Sequence, residues 1–112
     1  MDDCIFCKIV AGKIPAKKVG ENEGAIAFPD INPCAPVHIL VIPRKHVASL
    51  NEVEDGAVMA PVFALAEKVA RDQKLDQSGW RAVINTGPDA NQLVFHVHLH
   101  VLGGRKMGWP PG

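Results

Sequence analysis

The chain has 112 residues, 47% of them hydrophobic and 21% charged, with twelve basic and twelve acidic side chains and a formal net charge of zero. That length predicts one domain spanning residues 1–112, and that balance is ordinary for a soluble globular protein. Beyond Lys13 and Lys17-Lys18 there is no basic block, no apolar run approaches the ~20 residues of a membrane span, and the acidic start (Asp2, Asp3) lacks the pattern of a secretory signal. Nucleic-acid and membrane partners are therefore not expected; a small ligand and a cytoplasmic location are.

In chain order, residues 4–11 read as a short helix, because Ile5, Phe6 and Ile9 form one apolar stripe and Gly12 is a natural stop. Residues 19–21 and 25–28 read as short strands around the polar turn Asn22-Glu23-Gly24. Residues 29–36, "PDINPCAP", are a proline-rich loop, and residues 37–42 a strand closed by Pro43. Residues 57–74 carry a helical pattern, with Val58, Val62, Leu65, Ala66, Val69 and Ala70 on one side; Pro61 must sit near its start or kink it. Residues 80–85 read as a strand, 86–92 as a loop, 93–102 as a strand and the tail "GRKMGWPPG" as irregular. The predicted class is α+β, a mostly antiparallel sheet with one long helix and a short N-terminal helix.

Five histidines occur in the chain, and three of them, His96, His98 and His100, alternate with apolar residues in "VFHVHLHVLGG". On a strand such residues share one face about 6.6 Å apart, with Phe95, Val97, Leu99 and Val101 directed into a core. The outer two of three alternating histidines would lie roughly 13 Å apart, too far to share one zinc ion. Nucleophilic and electrostatic chemistry fits better: a central imidazole can attack phosphorus or carbon while a neighbour hydrogen-bonds the developing charge. Cys4-x-x-Cys7 reads as metal or redox, although no thioredoxin-like βαβ pattern surrounds it and cysteines also pack as small hydrophobes.

The segment His96-Val97-His98-Leu99-His100-Val101-Leu102 resembles the signature of the histidine-triad (HIT) family. So do "DINPCAPVHILVIPRKH" (residues 30–46) and "IFCKIVAGKIPAKKV" near the N-terminus, while "HVLGGRKMGWPPG" resembles the C-terminus of the histidine-triad nucleotide-binding branch. The resemblance implies a homodimer that binds purine nucleoside monophosphates or their phosphoramidates. It implies hydrolysis of adenosine 5'-phosphoramidates and aminoacyl-adenylates through a nucleotidyl-histidine, with two alternatives: a nucleotide-binding regulatory protein with weak catalysis, or a dinucleoside polyphosphate hydrolase. By the same resemblance His98 is the nucleophile, and His100 and His38 contact the phosphate site. Asp30 accepts hydrogen bonds from the ribose hydroxyls, and Ile5, Phe6, Ile9, Phe28 and Ile31 line the base slot. Asn85 contacts ribose and phosphate, and Trp109 shapes a leaving-group pocket or packs in the dimer. The branch commonly has Gly-Gln-Ser where this chain has Asn91-Gln92-Leu93, so a serine hydroxyl is missing, and Asn91 is the substitute donor offered here. Cys4, Cys7, His46 and His96 form a Cys₂His₂ set of the kind some members use for structural zinc. No cofactor is expected to be needed for catalysis, and Cys34 is assigned no role.

Overall fold

The structure, a computed structural model, describes residues 3–112. Helix α1 (Ile5–Val10) is opened by Cys4, whose Sγ accepts the Cys7 backbone N–H, and it buries Phe6 and Ile9. Gly12 follows at φ +76°, a left-handed conformation that glycine adopts without strain and that ends the helix. Strands β1 (Gly20–Glu21), β2 (Ala25–Pro29), β3 (Val37–Pro43), β4 (Trp80–Val83) and β5 (Leu99–Gly103) form one sheet in the order β1-β2-β3-β5-β4. Every pairing is antiparallel. The α+β architecture expected from the sequence is the one observed.

The predicted 57–74 helix divides. A single turn, Gly56–Val58, is capped by the Asp55 carboxylate, which accepts the Ala57 N–H. Helix α2 then runs Ala60–Asp72 with Pro61 in its first turn, where the missing N–H costs no helical hydrogen bond. Lys74 adopts a left-handed conformation, φ +62°, and leads into the short helix α3 (Leu75–Ser78).

The pleat sorts the sheet into two faces. Ala25, Ala27, Ile39, Val41, Leu99 and Val101 pack with Val97 against Val62, Leu65, Ala66, Val69 and Ala70 of α2. The alanines of β2 suit the close approach of the helix. The opposite face carries Ile26, Phe28, Leu40 and Ile42, covered by Phe6 and Ile9 of α1. The partner register places Leu40 opposite His100, so the histidines belong to this second face.

The predicted strand 93–102 is shorter than expected: β5 begins only at Leu99. The ladder with β3 runs from Val37↔Gly103 to Val41↔Leu99 and stops there. Beyond it, Pro43 has no N–H to offer, and its carbonyl accepts a hydrogen bond from the His96 ring. The Val97 N–H turns instead to the Val47 carbonyl, 2.7 Å away. Phe95 is consequently 58% exposed and does not enter the core, whereas Val97, Leu99 and Val101 do. Among the described residues no helix is long and apolar enough to cross a membrane.

Candidate functional site

Two neighbouring strands bring His38 and His100 together. His38 lies opposite Leu102 and His100 opposite Leu40, so the two imidazoles are diagonal neighbours on one face. His38 Nε2 and His100 Nδ1 stand 2.9 Å apart. The Cys34 backbone N–H donates to His38 Nδ1 at 3.0 Å, which makes Nδ1 an acceptor and puts the proton of neutral His38 on Nε2. That proton is donated to His100 Nδ1, with the Asp30 carboxylate at 3.4 Å as a second neighbour. His100 therefore carries its own proton on Nε2, a buried nitrogen with no hydrogen-bond partner among the described residues. A donor left unpaired in a buried position marks where a ligand oxygen or nitrogen would sit.

His98 lies beside His100, ring centroids 5.0 Å apart. Its Nδ1 is 2.7 Å from the His96 carbonyl, which can only accept, so Nδ1 bears the proton and Nε2 keeps its lone pair. Phe6 packs edge-on against the His98 ring at 5.2 Å. Burial lowers the pKa of His98, His38 and His100 by disfavouring the charged imidazolium. For His100 the neighbouring His98 and His38 add to the effect and the value falls to about 4. Neutral rings are what a nucleophile and a fixed donor require.

The Cys4, Cys7, His46 and His96 ligand atoms gather within 4.8 Å of one another. Cys4 Sγ is 3.4 Å and Cys7 Sγ 3.6 Å from His96 Nδ1, and Cys7 Sγ is 3.3 Å from His46 Nδ1. A tetrahedral ion with sulfur ligands at ~2.3 Å and nitrogen ligands at ~2.0–2.1 Å would space them about 3.6 Å apart. The other His96 nitrogen, Nε2, donates to the Pro43 carbonyl at 2.8 Å, leaving Nδ1 unprotonated toward the thiols. The residues present thus fit zinc. Asp30, His38 and His100 also lie within 4.8 Å, but they fail the same chemical test. The Cys34 N–H aimed at His38 Nδ1 keeps a proton on the nitrogen that would have to bind the ion.

The remaining sequence candidates are spread around this face. Phe6, Ile9 and Phe28 are buried together, with Phe6 and Phe28 edge to face at 5.7 Å. Asp30 is partly exposed and accepts the Asn32 N–H, while Ile31 is 91% exposed beside it. Ile5 and Leu93 are exposed and, with Phe95, line a hollow next to Cys4 and His46. Asn85 is half-buried after β4, and Asn91 is exposed in a left-handed turn at φ +64°. Trp109 is exposed, with the Arg81 guanidinium over its ring at 5.8 Å and donating to the Gly108 carbonyl. Gln92, passed over in the sequence, is buried. It accepts the Gly87 N–H and donates to the Ala48 and Val94 carbonyls, tying together the loops on either side of the triad segment. Thr86 Oγ1 is a second buried polar atom without a partner among the described residues. Gln92 carries no spacing signal, because its partners are main-chain groups.

An antiparallel five-stranded sheet with alternating imidazoles at its β3–β5 seam defines a recognisable class. The HIT domain family matches residues 11–107. The chain is 44% identical over 112 residues to a 14 kDa zinc-binding protein of Zea mays, covering 96% of this chain and 87% of that one. Its fold superposes with a TM-score of 0.95 on a HIT family hydrolase from Legionella pneumophila, at 46% identity and covering 98% and 100% of the two chains. A histidine triad nucleotide-binding protein from Candida albicans gives a TM-score of 0.82 at 35% identity, covering 96% and 83%. The chain belongs to the HIT domain family.

Proposed function

We propose that this HIT-domain protein is a purine nucleoside phosphoramidate hydrolase acting on adenosine 5'-phosphoramidates and aminoacyl-adenylates. The observation that carries the reading is the opposite protonation of two adjacent rings: His98 presents a lone pair on Nε2, and His100 presents a proton on Nε2. His98 Nε2 attacks the α-phosphorus, the bond to the leaving group breaks (phosphorus–nitrogen in a phosphoramidate, phosphorus–oxygen in an aminoacyl-adenylate), and the group departs as an amine that takes a proton from solvent or as a carboxylate. His100 Nε2–H bonds a phosphate oxygen or the leaving atom, and His38, anchored by the Cys34 N–H, holds it in that tautomer. Water then attacks the nucleotidyl-histidine, its hydroxyl going to phosphorus and its proton to solvent, and the nucleoside monophosphate departs from a neutral His98.

Asp30 is the acceptor for the ribose hydroxyls, its two oxygens suiting a vicinal diol. Phe6, Ile9 and Phe28, with Ile5 and Ile31 at the rim, form the base slot, and Asn85 and Asn91 are polar contacts of the adjoining loops. Zinc on Cys4, Cys7, His46 and His96 would cross-link α1 to the segment entering β5 and take no part in the reaction. The protein works as a homodimer, in which the exposed Trp109 packs near the partner's site; sedimentation at micromolar concentration distinguishes a dimer of 112-residue chains from the monomer.

The test is turnover of an adenosine phosphoramidate. Wild type turns it over and forms a trapped adenylyl-protein, whereas His98→Ala loses more than about 10⁴-fold of the rate and forms none. Binding of AMP without turnover by wild type would favour a regulatory nucleotide-binding protein instead. Leu93, which lacks the family's hydroxyl, favours that second reading. Faster cleavage of diadenosine polyphosphate than of the phosphoramidate would favour the sister activity.

A further inference from the structure

We propose that the Cys₂His₂ cluster governs the nucleotide site, because metal held there fixes the position and tautomer of the His98 ring. The inference rests on the reading of His98 as the phosphate-binding nucleophile. Two separate connections run from the cluster to that one ring. The first is through the chain: His96 is a ligand by its ring, and its own carbonyl accepts the His98 Nδ1–H at 2.7 Å. The His96 ring is fully buried and clamped at its far side by the Pro43 carbonyl, so ring and carbonyl move as one unit.

The second connection is through α1. Cys4 caps the helix and Cys7 lies in it; between them Phe6 touches both His96, at 5.9 Å, and His98, at 5.2 Å. Ligation of Cys4 and Cys7 therefore presses the Phe6 ring against His98. Without the ion, four ligand atoms at 3.3–3.6 Å lose their common partner, and any deprotonated thiol pair would repel. The larger core between the sheet and α2 contains none of these residues, so it does not depend on the cluster. What loosens is α1, the His96 main chain and the direction in which His98 Nε2 points. The segment just before β5 lies outside the strand ladder, so the His96 main chain is held by side-chain and loop contacts rather than by sheet pairing. Cys4 and His46 also line the open hollow beside Leu93 and Phe95, so a chelator or an oxidant can reach the ligands from solvent.

The experiment compares zinc-loaded and chelator-stripped protein at neutral pH. Two quantities are read: AMP affinity by calorimetry, and the His98 ring nitrogens by long-range proton–nitrogen NMR. Stripping is expected to leave the sheet and α2 amides protected. AMP affinity should weaken at least about tenfold, and the His98 signals should shift from a fixed Nδ1–H pattern to a tautomer average. A folded, stripped protein with unchanged AMP affinity and unchanged His98 signals overturns the proposal. If stripping unfolds the chain, zinc-loaded Phe6→Leu decides: the same loss of fixed ring signals at one zinc per chain supports the coupling, and unaltered signals overturn it. Failure of the loaded wild type to bind AMP would instead sink the nucleotide reading, and the ring signals would still judge the coupling.

Discussion

At the scale of single residues, what distinguishes the five histidines is the partner of each ring's second nitrogen. A carbonyl beside His96 and another beside His98 force protons onto known atoms, and a backbone N–H beside His38 does the reverse. His100 has a folded pKa of about 4 against roughly 6.5 for an unfolded histidine. Between those values the unfolded chain binds the additional proton, so stability rises with pH across the window and is lost as acid is added. Thermal melts taken from pH 7 to pH 4.5 should show Tm falling with acid in wild type. The slope should be shallower in His100→Asn, which cannot take up that proton; equal slopes would show that His100 is not held neutral. The shared face of His96, His98 and His100 was legible, because period two aligns side chains. The tautomers were not, since they depend on main-chain groups of Cys34, Pro43 and His96 that every sequence possesses.

At the scale of elements, the strand that carries the triad is half as long as its composition suggests. Apolar alternation signals strand through residues 93–98, yet the ladder stops at Val41↔Leu99: Pro43 offers no N–H, and the Val97 N–H turns to the Val47 carbonyl. Gln92 does the work that a ladder would otherwise do. Gln92→Ala leaves the Gly87 N–H and two carbonyls without their partner, and should cost about 2–3 kcal/mol. Urea melts measure it, and a loss below 0.5 kcal/mol, roughly the ordinary effect of a surface change, would contradict the bracing role. At the other end of β5, a Cβ on Gly103 would lie 2.7 Å from both Leu75 methyl carbons. Gly103→Ala should therefore destabilise the protein by about 1–3 kcal/mol through overpacking, again read by urea. Helix positions were legible from apolar spacing, including the effect of Pro61. The turn at Gly56–Val58 was not, because its cap depends on where the Asp55 side chain points.

At the scale of the molecule, the sheet is clamped from both sides, by α2 on one face and by the much smaller α1 on the other. A helix of six residues holds poorly by apolar contact alone, which is where a cross-link to His46 and His96 matters most. Zinc-loaded protein should therefore melt at least about 5 °C above the chelated form, the shift expected for roughly 1 kcal/mol in a domain of this size. Equal melting temperatures with and without chelator would show that the thiols hold no ion. The α+β class and the two helices were legible from sequence. That the two cysteines meet His46 and His96 was suggested only by family resemblance; the packing of α1 on the second face of the sheet brings the cysteines to a histidine some ninety positions away, which no local pattern encodes. The alternation between His96 and His100 also sets a rule for how this stretch can vary. Swapping one apolar spacer for another keeps each ring on its side of the pleat. Deleting or inserting a single residue would invert the sidedness of everything downstream, turning imidazoles into the greasy interior and valines onto the opposite face. Descendants of this chain can drift in the identity of Val97 and Leu99, but not in the number of residues they occupy.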